Sequence, residues 1–262
     1  CEGKAMSMFS CRNLEVHIGN ICVARGLSLD ISPGEFWGLL GPNGIGKTTL
    51  LKCLAGLERP AGGNVLLESR DIDELPRKLL ARHIGMLQQH TVYVFDSSVL
   101  QTVLTGRHPH LGYWEREGPA DFELAQSALE SVDLAGFSER SVTGLSGGEA
   151  RRLAFATLLL QQPDLMLLDE PTNHLDLRHQ LSIMRMICEH AQGQNGSALA
   201  ALHDINLAAR YCSHIVMLFG DGEWCAGPAA DMLNESSLQK LYGCPVERLE
   251  SRRGPRFHPA SD

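Results

Sequence analysis

The 262-residue sequence predicts an α/β fold with a largely parallel sheet that helices cover on both faces. Two observations support this prediction. Short, almost wholly apolar runs recur along the chain, and segments with helical periodicity separate them. The composition, with 44% hydrophobic and 21% charged residues, is that of an ordinary globular protein and provides a core for one large domain or two closely packed ones.

The elements begin with the segment EFWGLLGPNGIGKTTLLKCLAGL (35–57), which predicts a strand, a Gly-rich loop and a helix. Gly56 lies near the end of this helix, and four leucines fall on one of its faces: Leu50, Leu51, Leu54 and Leu57. Three further apolar strands are predicted at LMLLDE (165–170), ALAALHD (198–204) and HIVMLF (214–219). The last of them, HIVMLF, turns at GDG into EWCAG and is predicted to form a hairpin.

A helical insertion is predicted where convincing strands disappear, after Gln89. Its clearest segment, DFELAQSALESVDLA, has apolar residues at i, i+3, i+4 and i+7, namely Ala125, Ala128, Leu129 and Val132. We therefore expect one domain over 8–262 with a helical subdomain, 90–160, inserted within it. The polar sequence 235–262 is expected to form a C-terminal extension, with a small helix around SSLQKLYG and a loosely ordered end.

The charge balance argues against nucleic acid as a partner, because 23 basic and 31 acidic residues give a net charge of −8. No apolar run approaches the roughly 18 residues that span a bilayer, and the N-terminus lacks the apolar stretch of a signal peptide. We therefore expect a cytoplasmic chain. The residues before Met6 or Met8 are expected to be foreign to the natural chain and are set aside.

The cysteine and histidine spacings give no metal signal. The eight cysteines form no C-x-x-C pair, so we expect reduced and mostly buried thiols. His108 and His110 flank a proline in GRHPHLG without nearby cysteine or carboxylate partners, which is a poor pattern for metal ligands.

Two motifs predict phosphate chemistry. GPNGIGKTT (41–49) fits the P-loop pattern: its glycines turn backbone N–H groups toward a phosphate, Lys47 reaches the β and γ phosphates, and Thr48 supplies a hydroxyl to Mg²⁺. LMLLDE places Asp169 at the end of a buried strand, where it is suited to hold Mg²⁺ through water. Glu170, beside it, is suited to orient and deprotonate an attacking water.

A third motif, LSGGE (145–149), predicts a capped helix start in which Ser146 and Glu149 form a capping box. Two glycines, Gly147 and Gly148, separate the two capping residues, although glycine costs about 1 kcal/mol relative to alanine inside a helix. Bare backbone there presents open N–H groups and the Ser146 hydroxyl to a phosphate. Because the P-loop already serves one ATP, this second surface makes sense if it serves the nucleotide of another copy.

Together these motifs resemble the nucleotide-binding subunits of ABC transporters over roughly residues 10–235. The family's markers stand in family order: the P-loop, Gln89 in a Q-loop, the LSGGE signature, a Walker B strand at 165–170, a D-loop NHLD (173–176) and a switch histidine, His203. The resemblance implies a P-loop NTPase core with an N-terminal antiparallel β portion and an inserted α-helical subdomain. It also implies an ATPase that uses ATP and Mg²⁺ and dimerises head to tail.

The resemblance assigns each motif residue a role. Glu170, His203 and Gln89 would be catalytic, with Gln88 as the rival of Gln89. Mg²⁺ would be bound by Thr48, Gln89 and Asp169. ATP would be bound by Gly41, Pro42, Asn43, Gly44, Ile45, Gly46, Lys47, Thr48, Thr49, Ser146, Gly147, Gly148 and Asp176. Asp176 would bridge the dimer, and it is also a candidate helix N-cap.

The sequence departs from the family pattern at two positions. Ile18, beside His17, stands where the family usually has an aromatic residue that stacks on adenine, so His17 or an apolar contact is expected to substitute. Ile45 replaces a small polar residue of the P-loop, and we expect little effect because its backbone still points at the phosphate.

Within the family, HDINLAARYCSHIVMLFGDGEWCAG and LYGCPV look most like importers of iron siderophores, haem and vitamin B12. The resemblance implies transmembrane permease subunits as partners, indirectly a substrate-binding protein, and a peripheral location at the cytoplasmic face of the inner (cell) membrane. A molybdate or other importer, an exporter subunit, and a soluble ABC protein of DNA repair or ribosomes are the alternatives.

The permease is expected to dock on HTVYVFDSSVLQTVLTGRHPHLGYW (90–114). Four aromatic residues there look exposed, and aromatic residues are enriched at interfaces: Tyr93, Phe95, Tyr113 and Trp114. The alternative is that this stretch is simply the packing of the helical insertion.

Overall fold

The computed structural model describes residues 8–251 and 254–260, so the segment before Met8 lies outside the described residues. The strands are β1 (Phe9–Ile18), β2 (Ile21–Ile31), β3 (Phe36–Leu40), β4 (Gly62–Leu67), β5 (Arg70–Asp71), β6 (Ile84–Leu87), β7 (Leu165–Asp169), β8 (Ser197–Ala201), β9 (His214–Gly220), β10 (Glu223–Pro228), β11 (Val246–Ser251) and β12 (Gly254–Pro259). The α-helices are α1 (Lys47–Leu54), α2 (Arg77–His83), α3 (Val99–Leu104), α4 (Pro119–Ser131), α5 (Gly147–Gln161), α6 (Leu177–Ala191), α7 (Ile205–Tyr211), α8 (Ala229–Met232) and α9 (Glu235–Tyr242).

The central sheet has the strand order β10-β9-β3-β8-β7-β6. Its pairs are parallel except at one edge, where β9 and β10 form an antiparallel hairpin. Every residue of β3, β7 and β8 is buried, as expected for parallel strands covered on both faces. The predicted parallel sheet and the hairpin at GDG are therefore confirmed, while β6, the strand before Gln89, was not predicted.

A second, antiparallel sheet comes from the N-terminal part of the chain, with the order β2-β1-β4-β5. Helix α1 joins the two sheets, because Leu50 and Leu51 share one buried cluster with Leu14 of β1 and Leu167 of β7. Leu54 is also buried, but Leu57 is 58% exposed, so its predicted place on the buried face is wrong. The helix ends at Leu54, and Gly56, at φ +67°, turns the chain away before Leu57.

Helices fill the stretch between Gln89 and Asp164, all of which the structure describes. The predicted stripe of α4 is buried against α3 and α5: Ala125, Ala128, Leu129 and Val132. This completes the expected fold class, a P-loop NTPase core with an antiparallel β portion and an inserted helical part. None of the helices that the structure describes is long and apolar enough to cross a membrane.

The C-terminal part differs from the prediction. Helix α9 forms at the expected place, but the segment after it is an ordered hairpin, β11 and β12, rather than a loose end. Phe257 is buried in the core, and its backbone exchanges two hydrogen bonds with the side chain of Asn206 on α7, at 2.8 and 3.1 Å. The buried Phe257 and the side-chain amide of Asn206 therefore hold in place a polar hairpin whose strands lack the apolar pattern that predicts strands.

The expectation of mostly buried thiols is also wrong. Of the seven described cysteines, all unpaired, Cys11, Cys53 and Cys212 are buried, while the others are partly or fully exposed. Cys1 lies outside the described residues. Small thiols occur in the outer strands and helices of this chain as well as in its core.

Candidate functional site

The P-loop joins the end of β3 to the start of α1, and its backbone conformation requires glycine. Gly46 caps α1 at φ +107°, and a Cβ there would lie 2.5 Å from a methyl group of Val23. Among the described residues, no side chain caps the N-terminal N–H groups of α1. Such uncapped amides, at the positive end of the helix dipole, form a binding surface for phosphate.

Lys47 is buried at the centre of this loop. Its Nζ donates hydrogen bonds to the carbonyl oxygens of Gly41 at 2.8 Å and Pro42 at 3.1 Å. Burial lowers the pKa of Lys47, and the carboxylates of Glu170 and Asp169 oppose this shift. The ammonium group is thus held inside the loop by weak neutral acceptors, which a phosphate oxygen is able to replace.

Asp169 and Thr48 form the part of the site that fits Mg²⁺. The Thr48 hydroxyl donates a 2.6 Å hydrogen bond to Oδ2 of Asp169, whose side chain is almost fully buried. Burial raises the pKa of Asp169 above its usual value, although the Thr48 hydrogen bond opposes this. In the described part of the chain, Oδ1 of Asp169 is buried without a hydrogen-bond partner. A carboxylate oxygen left without a donor beside a hydroxyl suits a magnesium ion with its bound waters.

Glu170 follows directly on β7 at φ +50°, a conformation that turns its side chain out of the strand. Its Oε1 lies 2.5 Å from Nε2 of His203, and its Oε2 accepts a 2.9 Å hydrogen bond from Asn173. Burial, the largest influence on its pKa, raises it. The hydrogen bond and charge of His203, a hydrogen bond from Gln89 and the charge of Lys47 together outweigh burial and lower this pKa.

Most of the predicted site residues line one cavity of about 630 Å³: Asn43, Gly44, Gly46, Lys47, Thr48, Thr49, Gln89, Glu170 and His203. Asp169 does not line this cavity and meets the site through its hydrogen bond with Thr48. Gln88 instead lines a second cavity, so the structure places Gln89 at the site. Asn173, which the sequence analysis quoted only as part of the D-loop, also lines the cavity.

Three predicted P-loop residues do not line this cavity: Gly41, Pro42 and Ile45. The carbonyls of Gly41 and Pro42 hold Lys47, and the Ile45 side chain packs against the core around α1. Ile18 also lines the cavity and is 40% exposed, whereas His17 pairs with Glu15. An apolar contact from Ile18 is therefore what this chain offers where an aromatic residue is usual.

The signature residues lie outside the cavity lining of this single chain. Ser146 caps α5 and forms the predicted capping box with Glu149. An added Cβ would meet nothing within 4 Å at Gly147 and only ordinary contacts at Gly148, and neither glycine has a positive φ. Nothing in the described part of the chain therefore requires two glycines at these positions. Asp176 caps α6, where its carboxylate accepts a 2.9 Å hydrogen bond from the backbone of His179.

Arg151 is a buried residue of the site that the sequence analysis missed. Its guanidinium group donates hydrogen bonds to four backbone carbonyls next to the cavity, those of Gln88, Gln89, Asp169 and Glu170. The helical periodicity contained the signal, because Arg151 shares the stripe i, i+4 and i+7 with Phe155 and Leu158, both buried. An arginine on a buried stripe indicates that it forms hydrogen bonds with polar groups in the interior.

Comparison with known proteins agrees with this geometry. The family model for the ABC transporter matches residues 24–173, which contain the P-loop, Gln89, the signature and the Walker B strand. Hemin import ATP-binding protein HmuV of Rhizobium meliloti (strain 1021) is 37% identical over 245 residues, covering 90% of this chain and 92% of the relative. Ferric enterobactin transport ATP-binding protein FepC of Escherichia coli (strain K12) is 34% identical over 230 residues, covering 88% and 85%.

One similar solved structure is the ATP-binding cassette MJ0796, as a dimer in a post-hydrolysis state bound to ADP and Pi. It superposes with a TM-score of 0.73 at 26% identity, covering 85% of this chain and 99% of that one. The matching segment spans more than half of the chain, and the relatives match over most of their own length. The chain therefore belongs to the ABC transporter family, as one of the ATP-binding subunits of that family.

Proposed function

We propose that this chain is the ATP-hydrolysing subunit of an ABC importer and that it uses Mg²⁺ together with ATP. One observation carries the proposal: a single cavity brings Lys47 and Thr48 of the P-loop together with Glu170, Gln89 and His203. These residues come from four separate parts of the sequence. A cation, a hydroxyl, a carboxylate, an amide and an imidazole around one space are the groups that phosphoryl transfer to water requires.

The P-loop would bind the triphosphate. Phosphate oxygens would replace the carbonyls of Gly41 and Pro42 as acceptors for Lys47, while the N–H groups at the start of α1 would donate to them. Ile18 would pack against the adenine. Thr48, Asp169 and Gln89 would hold Mg²⁺, which supplies positive charge to the β and γ phosphates.

Glu170 would act as the general base. Its lowered pKa keeps the carboxylate ionised at neutral pH, in the form that accepts a proton from the attacking water. Asn173 and His203 fix the two carboxylate oxygens, so the base has a defined direction. His203 lines the cavity, its side chain is 44% exposed, and it is therefore able to contact the γ phosphate as well as Glu170.

The signature would complete the site of a second copy. Ser146, Gly147 and Gly148 are accessible, and among the described residues none packs so closely on either glycine that a side chain could not fit there. Asp176 is exposed, and beyond capping α6 it would bridge the dimer, as the family resemblance implies. Two chains packed head to tail would close each ATP between the P-loop of one and the signature of the other.

The permease would dock on segment 90–114. Phe95, Tyr113 and Trp114 are each at least 85% exposed. Within the same segment, His90 and Tyr93 help to line a cavity of about 340 Å³. Tyr93 was expected to be exposed, but it packs against the core, and burial raises its pKa to about 12. Docking would hold the chain at the cytoplasmic face of the membrane, with a substrate-binding protein reached only through the permease.

A metal chelate is the proposed cargo, namely an iron siderophore, haem or cobalamin. HmuV and FepC, which act on hemin and ferric enterobactin by name, support this class, and molybdate is the alternative. The test is uptake of a panel of labelled chelates, cobalamin and molybdate in cells that lack this protein. Wild-type protein, but not the Glu170→Gln variant, should restore uptake of one chelate. Restored uptake of molybdate alone, or no uptake defect for any compound, would contradict the proposal.

A further inference from the structure

The buried guanidinium group of Arg151 joins two catalytic segments at the edge of the central sheet. Strands β6 and β7 pair in parallel from Ile84 and Leu165 to Leu87 and Leu168, and there the ladder ends. Gln88 and Gln89 follow β6, while Asp169 is the last residue of β7 and Glu170 follows it, and the register between the two strands does not extend to these residues. Arg151 lies between these two segments and contacts the carbonyls of all four residues.

The two terminal nitrogens of Arg151 each contact one of these two segments. Nη1 donates to Gln88 and, at 3.1 Å, to Gln89, while Nη2 donates to Asp169 and, at 2.7 Å, to Glu170. One planar group therefore takes the place of the ladder hydrogen bonds beyond the last strand pair. The spacing between the Q-loop and the Walker B segment is consequently set by the rigid fork of a single side chain.

Stability alone gives little reason for an arginine here. Its side chain is 4% exposed, and its Nε has no hydrogen-bond partner among the described residues. Taking a charged group out of water is unfavourable, and apolar residues of similar volume often replace buried ionic groups without loss of stability. What the arginine provides, and an apolar side chain does not, is a fixed distance between Gln89 and Glu170.

We propose that Arg151 is a positioning residue for ATP hydrolysis, one that holds Gln89 against Glu170 so that the amide and the base act on the same water. This inference rests on the proposed function, because it presupposes hydrolysis at this cavity. Arg151 does not line the cavity, so it acts through Gln89 and Glu170, whose backbone carbonyls it holds.

Arg152, the next residue, provides a matched control. Its Nη1 also donates to two backbone carbonyls, those of Val132 at 2.6 Å and Asp133 at 2.9 Å, but both lie in the helical part away from the cavity. The experiment compares Arg151→Met, Arg151→Lys and Arg152→Met in the purified full chain. ATP affinity is measured with a fluorescent ATP analogue, and turnover is measured by phosphate release, with each variant also made in the Glu170→Gln background.

Arg151→Met should lower kcat about tenfold or more while the ATP Kd stays within about threefold, because the P-loop is intact. Arg151→Lys should fall between Arg151→Met and wild type, and Arg152→Met should stay within about threefold of wild type. In the Glu170→Gln background, Arg151→Met should lower the residual rate by less than about twofold, because its effect passes through Glu170.

Equal fold losses in both backgrounds, an equal loss from Arg152→Met, or parallel losses of affinity and turnover would overturn the proposal. If Arg151→Met does not fold, Arg151→Lys is judged by the same criteria. Wild-type protein that binds or hydrolyses no ATP would instead contradict the proposed function itself. The two failures are therefore distinguishable.

Discussion

Replacing Glu170 with glutamine should slow ATP hydrolysis while leaving ATP binding intact. Glutamine keeps the size of the side chain, and its amide oxygen still accepts the hydrogen bond from Asn173. The ion pair with the half-exposed His203 is lost. What disappears is the proton acceptor, and a positioned general base contributes roughly 10²–10⁴ in rate, or about 3–5 kcal/mol.

The assay is steady-state phosphate release at saturating Mg·ATP, with ATP binding and the melting temperature measured on the same samples. Asp164→Asn is the matched control, since Asp164 precedes β7, as Glu170 follows it, and also lies 2.5 Å from a histidine, His83. The control should keep hydrolysis within about threefold of wild type. A Glu170→Gln variant that hydrolyses ATP at a near-normal rate would refute the role of Glu170 as the base.

Four further predictions concern the pKa of Glu170, the glycines of the two phosphate-binding motifs and the docking segment. Because His203, Gln89 and Lys47 lower the pKa of Glu170, its carboxylate stays ionised over pH 5–8. A kcat that rises with pH over this range in the wild-type protein but not in Glu170→Gln would contradict a lowered pKa for Glu170. The same shift stabilises the fold above the unfolded pKa of roughly 4.3 and is lost as pH falls through the lower folded value, so melting curves of wild type and Glu170→Gln should converge in acid. Gly147→Ala should change stability by less than about 0.5 kcal/mol yet impair ATP-dependent dimerisation, whereas Gly46→Ala, whose Cβ would lie 2.5 Å from Val23, should destabilise the fold measurably in thermal unfolding. Phe95→Glu or Trp114→Glu should abolish uptake in cells and leave hydrolysis by the isolated chain unchanged; intact uptake in both variants would remove segment 90–114 from the docking surface.

The sequence predicted the parallel sheet because each buried strand is a short, continuous apolar run, and that signal needs no tertiary information. The P-loop and Glu170 were also predictable from the sequence, because a phosphate-binding loop needs glycines at fixed spacing before a helix and the base follows a buried strand. Gln89 could be separated from Gln88 only by the family pattern. The structure gives the physical distinction: Gln89 faces the cavity with Glu170, and Gln88 faces the other side.

Features that depend on distant partners were not predictable. Tyr93 looks exposed in a polar, aromatic stretch, but it packs against the core and is partly buried there. The hairpin β11–β12 has polar strands that gain order from Phe257 and Asn206, which are 51 residues apart in sequence. Arg151 was missed because the four carbonyls that satisfy it belong to segments 62 to 63 residues before it and 18 to 19 residues after it.

The measurement that tests the account most directly combines two defective chains. One subunit carries Lys47→Ala, which weakens its own phosphate site, and the other carries Ser146→Arg, which blocks the surface that it offers to a partner. Each variant alone forms dimers with two damaged sites. In the mixed dimer both lesions fall in one site, so the other site pairs an intact P-loop with an intact signature.

Mixing should restore ATP-dependent dimer closure and, if one intact site supports turnover, part of the hydrolysis. Formation of the mixed dimer is checked independently with two affinity tags. If the P-loop and signature of one chain served the same nucleotide, every chain in the mixture would remain defective. Verified mixed dimers that show neither closure nor hydrolysis beyond the two variants alone would contradict the shared ATP site.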